Sequence, residues 1–102
     1  MGLEIEATSI RIKEKSILAY LASKVLRSRQ CAIVIGRTIH LHGTPKLDFI
    51  KDTRWYKHEL KHIEQFKQYG VVKFLFLYIL YTFRYGYYQN PFEVEARNAE
   101  IQ

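Results

Sequence analysis

The stretch WYKHELKHIEQF, Trp55 to Phe66, sets two histidines four residues apart with a glutamate directly after the first. If it is helical, residues four apart become neighbours on one face. Projected at about 100° per residue, Lys57, Lys61, Glu64, Lys67 and Gln68 share a broad polar side, while Trp55, Ile63, Phe66 and Tyr69 share the opposite one. His58, Glu59 and His62 fall with the apolar group, where solvated charges do not belong, so they are expected to point inward. Asp52 or Thr53 is placed to cap this helix and Gly70 to end it.

Working outward, two short strands precede the helix. Residues 32–35 are a β-branched run and residues 38–42 alternate, with Gly36-Arg37 as the break between them. The second strand puts Thr38, His40 and His42 on one face and Ile39 and Leu41 on the other; residues 43–46 read as a loop. Farther upstream, Ile17, Leu18, Leu21, Ala22, Val25 and Leu26 recur at the spacing of one buried helical stripe between about Lys13 and Arg27. Residues 3–7 and 10–13 alternate as a short N-terminal strand would. Downstream, residues 72–84 are apolar nearly all round, the pattern of a helix buried on most sides. Asn90-Pro91 then opens a last short helix, with Asn as cap and Pro where its missing N–H costs nothing. The expected fold is α+β: a small antiparallel sheet packed beside an N-terminal helix, the His-bearing helix, a buried apolar helix and a short C-terminal helix.

The bulk numbers restrict the function classes. A chain of 102 residues is one domain, 1–102, with a modest core. The single cysteine, Cys31, rules out an intrachain disulfide and starts an apolar run, so a buried thiol is expected. The opening MGLEIEATSIRIK alternates apolar and charged residues instead of forming a signal peptide's apolar block, which favours a cytoplasmic protein. The uncharged run from Phe74 to Phe83 is far short of the roughly 20 residues a membrane span needs. A net charge of +6 is spread along the chain without any nucleic-acid-binding signature, so no nucleic-acid partner is expected, and peripheral contact with a membrane stays open.

The chemistry lies in the opening motif. His58 and His62 can present two imidazoles to one point, as Zn²⁺ requires of its nitrogen ligands. Glu59 is placed to act as general base on a zinc-bound water, which is why H-E-x-x-H on a helix marks zinc metallopeptidases. A catalytic site needs a third protein ligand and an open fourth position. NPFEVEARNAE offers Glu93 and Glu95, 31 and 33 residues after His62. Glu93 also fits a capping box, three residues after Asn90.

HELKH, followed after an apolar helix by a Glu in E-x-E-A, resembles the gluzincins, zinc peptidases with two His and a distant Glu ligand. The short length and the pairing of HELKHIEQF with GYYQNPFEVEAR look more specifically like the minigluzincins, soluble minimal relatives of the membrane-embedded prenyl-protein-processing metallopeptidases. The resemblance covers roughly residues 32–100. It implies His58, His62 and Glu93 as zinc ligands, since the family's ligand Glu stands three residues before a helical Ala, here Ala96. Glu95 is then a supporting or surface residue. The membrane relatives carry Asp directly after that Ala; this chain has Arg97, so their carboxylate contact behind the site has no counterpart there. Family members also bind extended substrates along an edge strand above the zinc, for which residues 38–42 are the candidate.

Supporting residues follow from position. Gln65 and Tyr69 lie beside the histidines on the wheel. A peptidase needs a donor for the oxyanion formed as water attacks the carbonyl, and Tyr85, Tyr87 and Tyr88 precede the Glu helix, Tyr88 being favoured by position. His40 and His42, on a strand face, are expected to be solvated instead of ligating. The expected function is a zinc-dependent metalloendopeptidase, active or latent, acting on peptide or unfolded protein. The alternative is a zinc-binding scaffold or interaction protein without turnover.

Overall fold

The computed structural model describes residues 9–102. In that span the order is β1 (Arg11–Lys13), α1 (Ile17–Leu26), β2 (Cys31–Ile35), β3 (Thr38–His42), α2 (Lys46–Lys51), α3 (Thr53–Tyr69), α4 (Val71–Tyr85) and α5 (Pro91–Ala99). The fold class is α+β, as the sequence pattern implied. The alternation at residues 3–7 lies outside the described residues, and that at residues 10–13 becomes β1.

Strand order in the sheet is β1-β3-β2. β2 and β3 form the expected antiparallel hairpin, with Ile33 opposite His40, and β1 adds to β3 in parallel, with Arg11 opposite Thr38. The sheet is therefore mixed, because the reversal at Gly36 turns β3 into the direction of β1. β3 is the central strand, and its Ile39 and Leu41 are fully buried. This corrects residues 38–42 as the edge strand: among the described residues β1 and β2 are the edges, and β2 is the one beside the histidines of α3. Gly43 ends β3 at φ +80°, where an added Cβ would lie 2.2 Å from the Arg29 carbonyl oxygen, so only glycine lets the hairpin close on the turn before β2.

α1 covers the other face of the sheet. Ser16 caps it, and the Ser16 hydroxyl also meets His40 Nδ1 at 2.9 Å. The Tyr20 ring packs edge-on against His42 at 5.2 Å. The two strand histidines are thus half-buried beneath a helix, not solvated, and burial with the nearby Lys13 charge lowers the pKa of His40. The buried positions of α1 are Ala19 and Ser23, not the expected stripe of large residues. Small side chains let the helix sit close on the sheet, which leaves Ile17, Leu21 and Val25 on the outer face.

α2 replaces part of the expected approach to the α3 cap; its Phe49 is fully buried against Trp55 and Tyr56. Asp52 caps α3 by accepting from the Trp55 N–H, and Gly70 ends it. The core lies between the sheet and α3 to α5, where Phe74 stacks on both Phe66 and Phe92 at 4.4 and 4.7 Å. α4 is not the buried helix its composition suggested: Phe74 is its one buried residue, while Val72, Phe76, Ile79, Leu80 and Phe83 are exposed. It packs by one face, and among the described residues no second layer covers the other. No helix among the described residues is long and apolar enough to cross a membrane.

Candidate metal centre

α3 presents His58 and His62 from successive turns, and α5 brings Glu93 across to meet them. His58 Nε2 lies 3.0 Å from Glu93 Oε1, and His62 Nε2 lies 3.3 Å from Glu93 Oε2. One ligand atom from each residue falls within 4.8 Å of the others. The two histidine nitrogens meet different oxygens of the one carboxylate, so the three side chains surround a common point at a scale that a metal ion could occupy.

Asn90 fixes the α5 side. Its carbonyl side-chain oxygen accepts from the Phe92 N–H, and its amide donates to the Tyr78 carbonyl and the Thr82 hydroxyl, which ties the start of α5 to α4. The capping-box alternative for Glu93 fails because its carboxylate faces the histidines and accepts a 2.5 Å bond from the Tyr78 hydroxyl. Tyr78 is a site residue that the sequence did not single out, since it is one aromatic among many on an apolar helix.

The far nitrogens of both rings are also held. Gln65 Oε1 lies 2.8 Å from His62 Nδ1, while its amide nitrogen donates to the Phe92 carbonyl and to Glu95. With the amide orientation so fixed, His62 Nδ1 must be the protonated nitrogen. Glu95 therefore supports Gln65, and Tyr69 packs on Phe92 in the core. On His58, Nδ1 lies 2.7 Å from Glu100 Oε2. Arg97 instead donates to the Tyr88 carbonyl, so the carboxylate missing at position 97 is supplied one turn later by Glu100. A signal for Glu100 existed in its spacing, seven residues after Glu93 and so on the same helical face.

In the neutral state both Nε2 lone pairs would thus point at an anionic carboxylate, with no hydrogen between them. Without a metal, protons fill that gap. Burial alone would lower the pKa of His58, but hydrogen bonds to Glu93 and Glu100 and the Glu59 charge push it to about 9. His62 is raised by Glu93 and Glu59 against the same burial. Burial would raise Glu93, yet hydrogen bonds from both histidines and Tyr78 hold it well below the usual carboxylate range. Three convergent donors, each held from behind by a further hydrogen bond, form a group that could hold a metal ion.

Glu59 is buried beside the histidines, with its carboxyl raised to about 7 by desolvation against the opposing His62 and His58 charges. It lines two adjoining cavities, of about 240 and 470 Å³, which share Leu26, Cys31, Ala32, His58, Glu59 and Tyr87. The cleft they form runs beside β2. Tyr88 is outside it: its ring is exposed beneath the Arg97 guanidinium at 3.8 Å, so the structure does not bring it to the histidines. Tyr87 lines both cavities, and burial with the Glu93 and Glu59 charges raises the pKa of its phenol and keeps the proton on. Tyr85 borders neither. Cys31 is buried, and His40 and His42 are not part of the ligand cluster. No protein family, curated protein or solved structure matches the chain.

Proposed function

We propose that the chain is a zinc-dependent metalloendopeptidase of the minigluzincin type. The observation that carries this reading is the convergence of His58 Nε2, His62 Nε2 and Glu93, with Gln65 and Glu100 holding the rear nitrogens, at the wall of a cleft beside an unpaired strand edge. His58, His62 and Glu93 would hold the zinc, which would supply Lewis acidity to the attacking water and the peptide carbonyl. Glu59, whose carboxyl burial raises above the usual carboxylate range, takes the proton of the attacking water and delivers it to the leaving amine. Tyr87 donates its phenol hydrogen to the carbonyl oxygen as negative charge develops.

The substrate is an extended peptide that pairs with the free edge of β2. One side of the cleft is walled by Ile33, Phe66, Phe74 and Leu75, which fits an apolar side chain. The other is walled by Ser28, Gln30, Asp52 and Arg54, which fits a polar one. A cytoplasmic location accords with the lone, buried thiol.

The test is metal content and cleavage of an unfolded protein in three chains. Wild type should hold one zinc per chain and cleave. Glu59→Gln should keep the zinc and lose about 10²- to 10⁴-fold in rate. His58→Ala should lose both. Undiminished cleavage by Glu59→Gln refutes the mechanism, and stoichiometric zinc without cleavage by wild type favours the scaffold.

A further inference from the structure

We propose that the outer faces of α4 and α1 are a docking surface for an anionic lipid bilayer. On α4 the residues Val72, Phe76, Ile79 and Phe83 form one continuous ridge, with Val72 84% and Phe83 87% exposed. On α1 the ridge is Ile17, Leu18, Leu21 and Val25, the last 81% exposed. Soluble surfaces rarely carry apolar ridges of this length without a partner. Ala22 and Leu26 of α1 and Leu75 and Tyr78 of α4 line the same cavity, so the two ridges flank one cleft.

Charge identifies the occupant. The charged residues of these two helices are Lys24, Lys73 and Arg84, with no acid on either. At helical spacing Lys73 and Arg84 border the α4 ridge on one side, and Lys24 borders that of α1. Each cation sits over a tyrosine, Lys24 on Tyr20, Lys73 on Tyr69 and Arg84 on Tyr85, at 5.0, 5.9 and 5.8 Å. An apolar ridge edged by tyrosine and basic side chains is the pattern of a helix lying in the headgroup boundary, with the long cations reaching lipid phosphates. A second copy would bring a like charge of +6 against the same cations.

The inference is independent of the zinc reading, and its test reads neither metal nor activity. The full chain is floated with vesicles of phosphatidylcholine alone and with one quarter phosphatidylglycerol, at low and high salt. It should partition onto the anionic vesicles and leave them as salt rises. The pair Phe76→Ser/Phe83→Ser should weaken partitioning about tenfold or more, and Lys73→Glu/Arg84→Glu by several-fold, with unchanged melting because all four side chains lie outside the core. Leu47→Ser, an exposed apolar residue on α2, should float as wild type does. Failure to float, equal binding to both vesicles, or a Phe pair that binds as wild type overturns the proposal. Sedimentation showing a dimer that the Phe pair dissolves assigns the face to a second copy and overturns it too.

Discussion

Removing the carboxylate behind His58 separates two effects that share one contact. Glu100 Oε2 lies 2.7 Å from His58 Nδ1, and both side chains are largely shielded from solvent. With a metal on Nε2, the Nδ1–H bond to a carboxylate orients the ring and makes it a better ligand; such a contact contributes about 10- to 100-fold in metal affinity. A charge-assisted hydrogen bond of about 1.5–3 kcal/mol leads to the same range. The contact also stabilises the imidazolium that competes with the metal. For a histidine titrating near 9, proton competition at pH 7 weakens binding about a hundredfold, and without Glu100 part of that competition disappears. Glu100→Gln should therefore cost most near pH 9, where about half of His58 is already neutral, approaching the full 10- to 100-fold, and clearly less at pH 7. The assay is competition against a fluorescent chelator in zinc-buffered solution between pH 6.5 and 9. Equal affinities of the two proteins at pH 9, or a ratio that does not change with pH, refutes the reasoning.

Two further outcomes follow from the same site. The metal-free chain should lose stability as pH rises: His58 is raised from 6.5 to about 9, so its contribution is complete below about 6.5 and gone above 9. That shift corresponds to about 3 kcal/mol. Glu59, raised from 4.5 to about 7, acts in the same direction between those values, whereas Glu93, lowered, loses its contribution only as pH falls into the acid range. Melting of chelated protein from pH 5 to 9 checks this, and a melting temperature that rises through pH 6.5–9 would contradict it. Tyr87→Phe should reduce kcat by about 10²-fold with zinc affinity unchanged, whereas Tyr88→Phe should be silent; steady-state kinetics of the two variants decides between the tyrosines.

The helix of HELKH was legible because its pattern is local: capping by Asp52, polar and apolar sides, and the Gly70 stop are all written within one segment. The hairpin at Gly36 and the Asn90-Pro91 start of α5 were legible for the same reason. Burial of the other helices was not, because periodicity tells which residues could share a face but not whether anything covers that face. In α1 the large residues form the better stripe, yet Ala19 and Ser23 allow the closer approach to the sheet. In α4 apolar residues all round suggested burial on all sides, while this small fold supplies neighbours for one. Strand order was equally hidden, since β1 pairs with β3 across most of the intervening chain and no local signal marks the partner. Among site residues, His58, Glu59 and His62 were fixed by spacing and Glu93 by resemblance. Glu100 and Tyr78 reach His58 and Glu93 through contacts between α3, α4 and the α5 end that only packing defines, and packing alone separates Tyr87, which lines the cleft, from its fellow candidates Tyr85 and Tyr88.

Such a cluster is costly in so small a core unless its charges are compensated. Glu59 and Glu93 are both buried, and an isolated carboxylate in that position would be strongly destabilising. In the metal-free chain the Glu93 carboxylate favours protons on the nitrogens of His58 and His62 that face it, raising the pKa of both. Exchanging those two protons for one divalent cation leaves the total charge of the site unchanged. The rings need not turn, because Glu100 and Gln65 hold their rear nitrogens in both states. The same hydrogen bonds that stabilise the metal-free fold would therefore preset the ligand geometry, and binding of a metal would be an exchange within an already folded site. The buried imidazoles on α3 and the carboxylate delivered by α5 thus compensate one another in the fold, and the proposed metal would use the same arrangement.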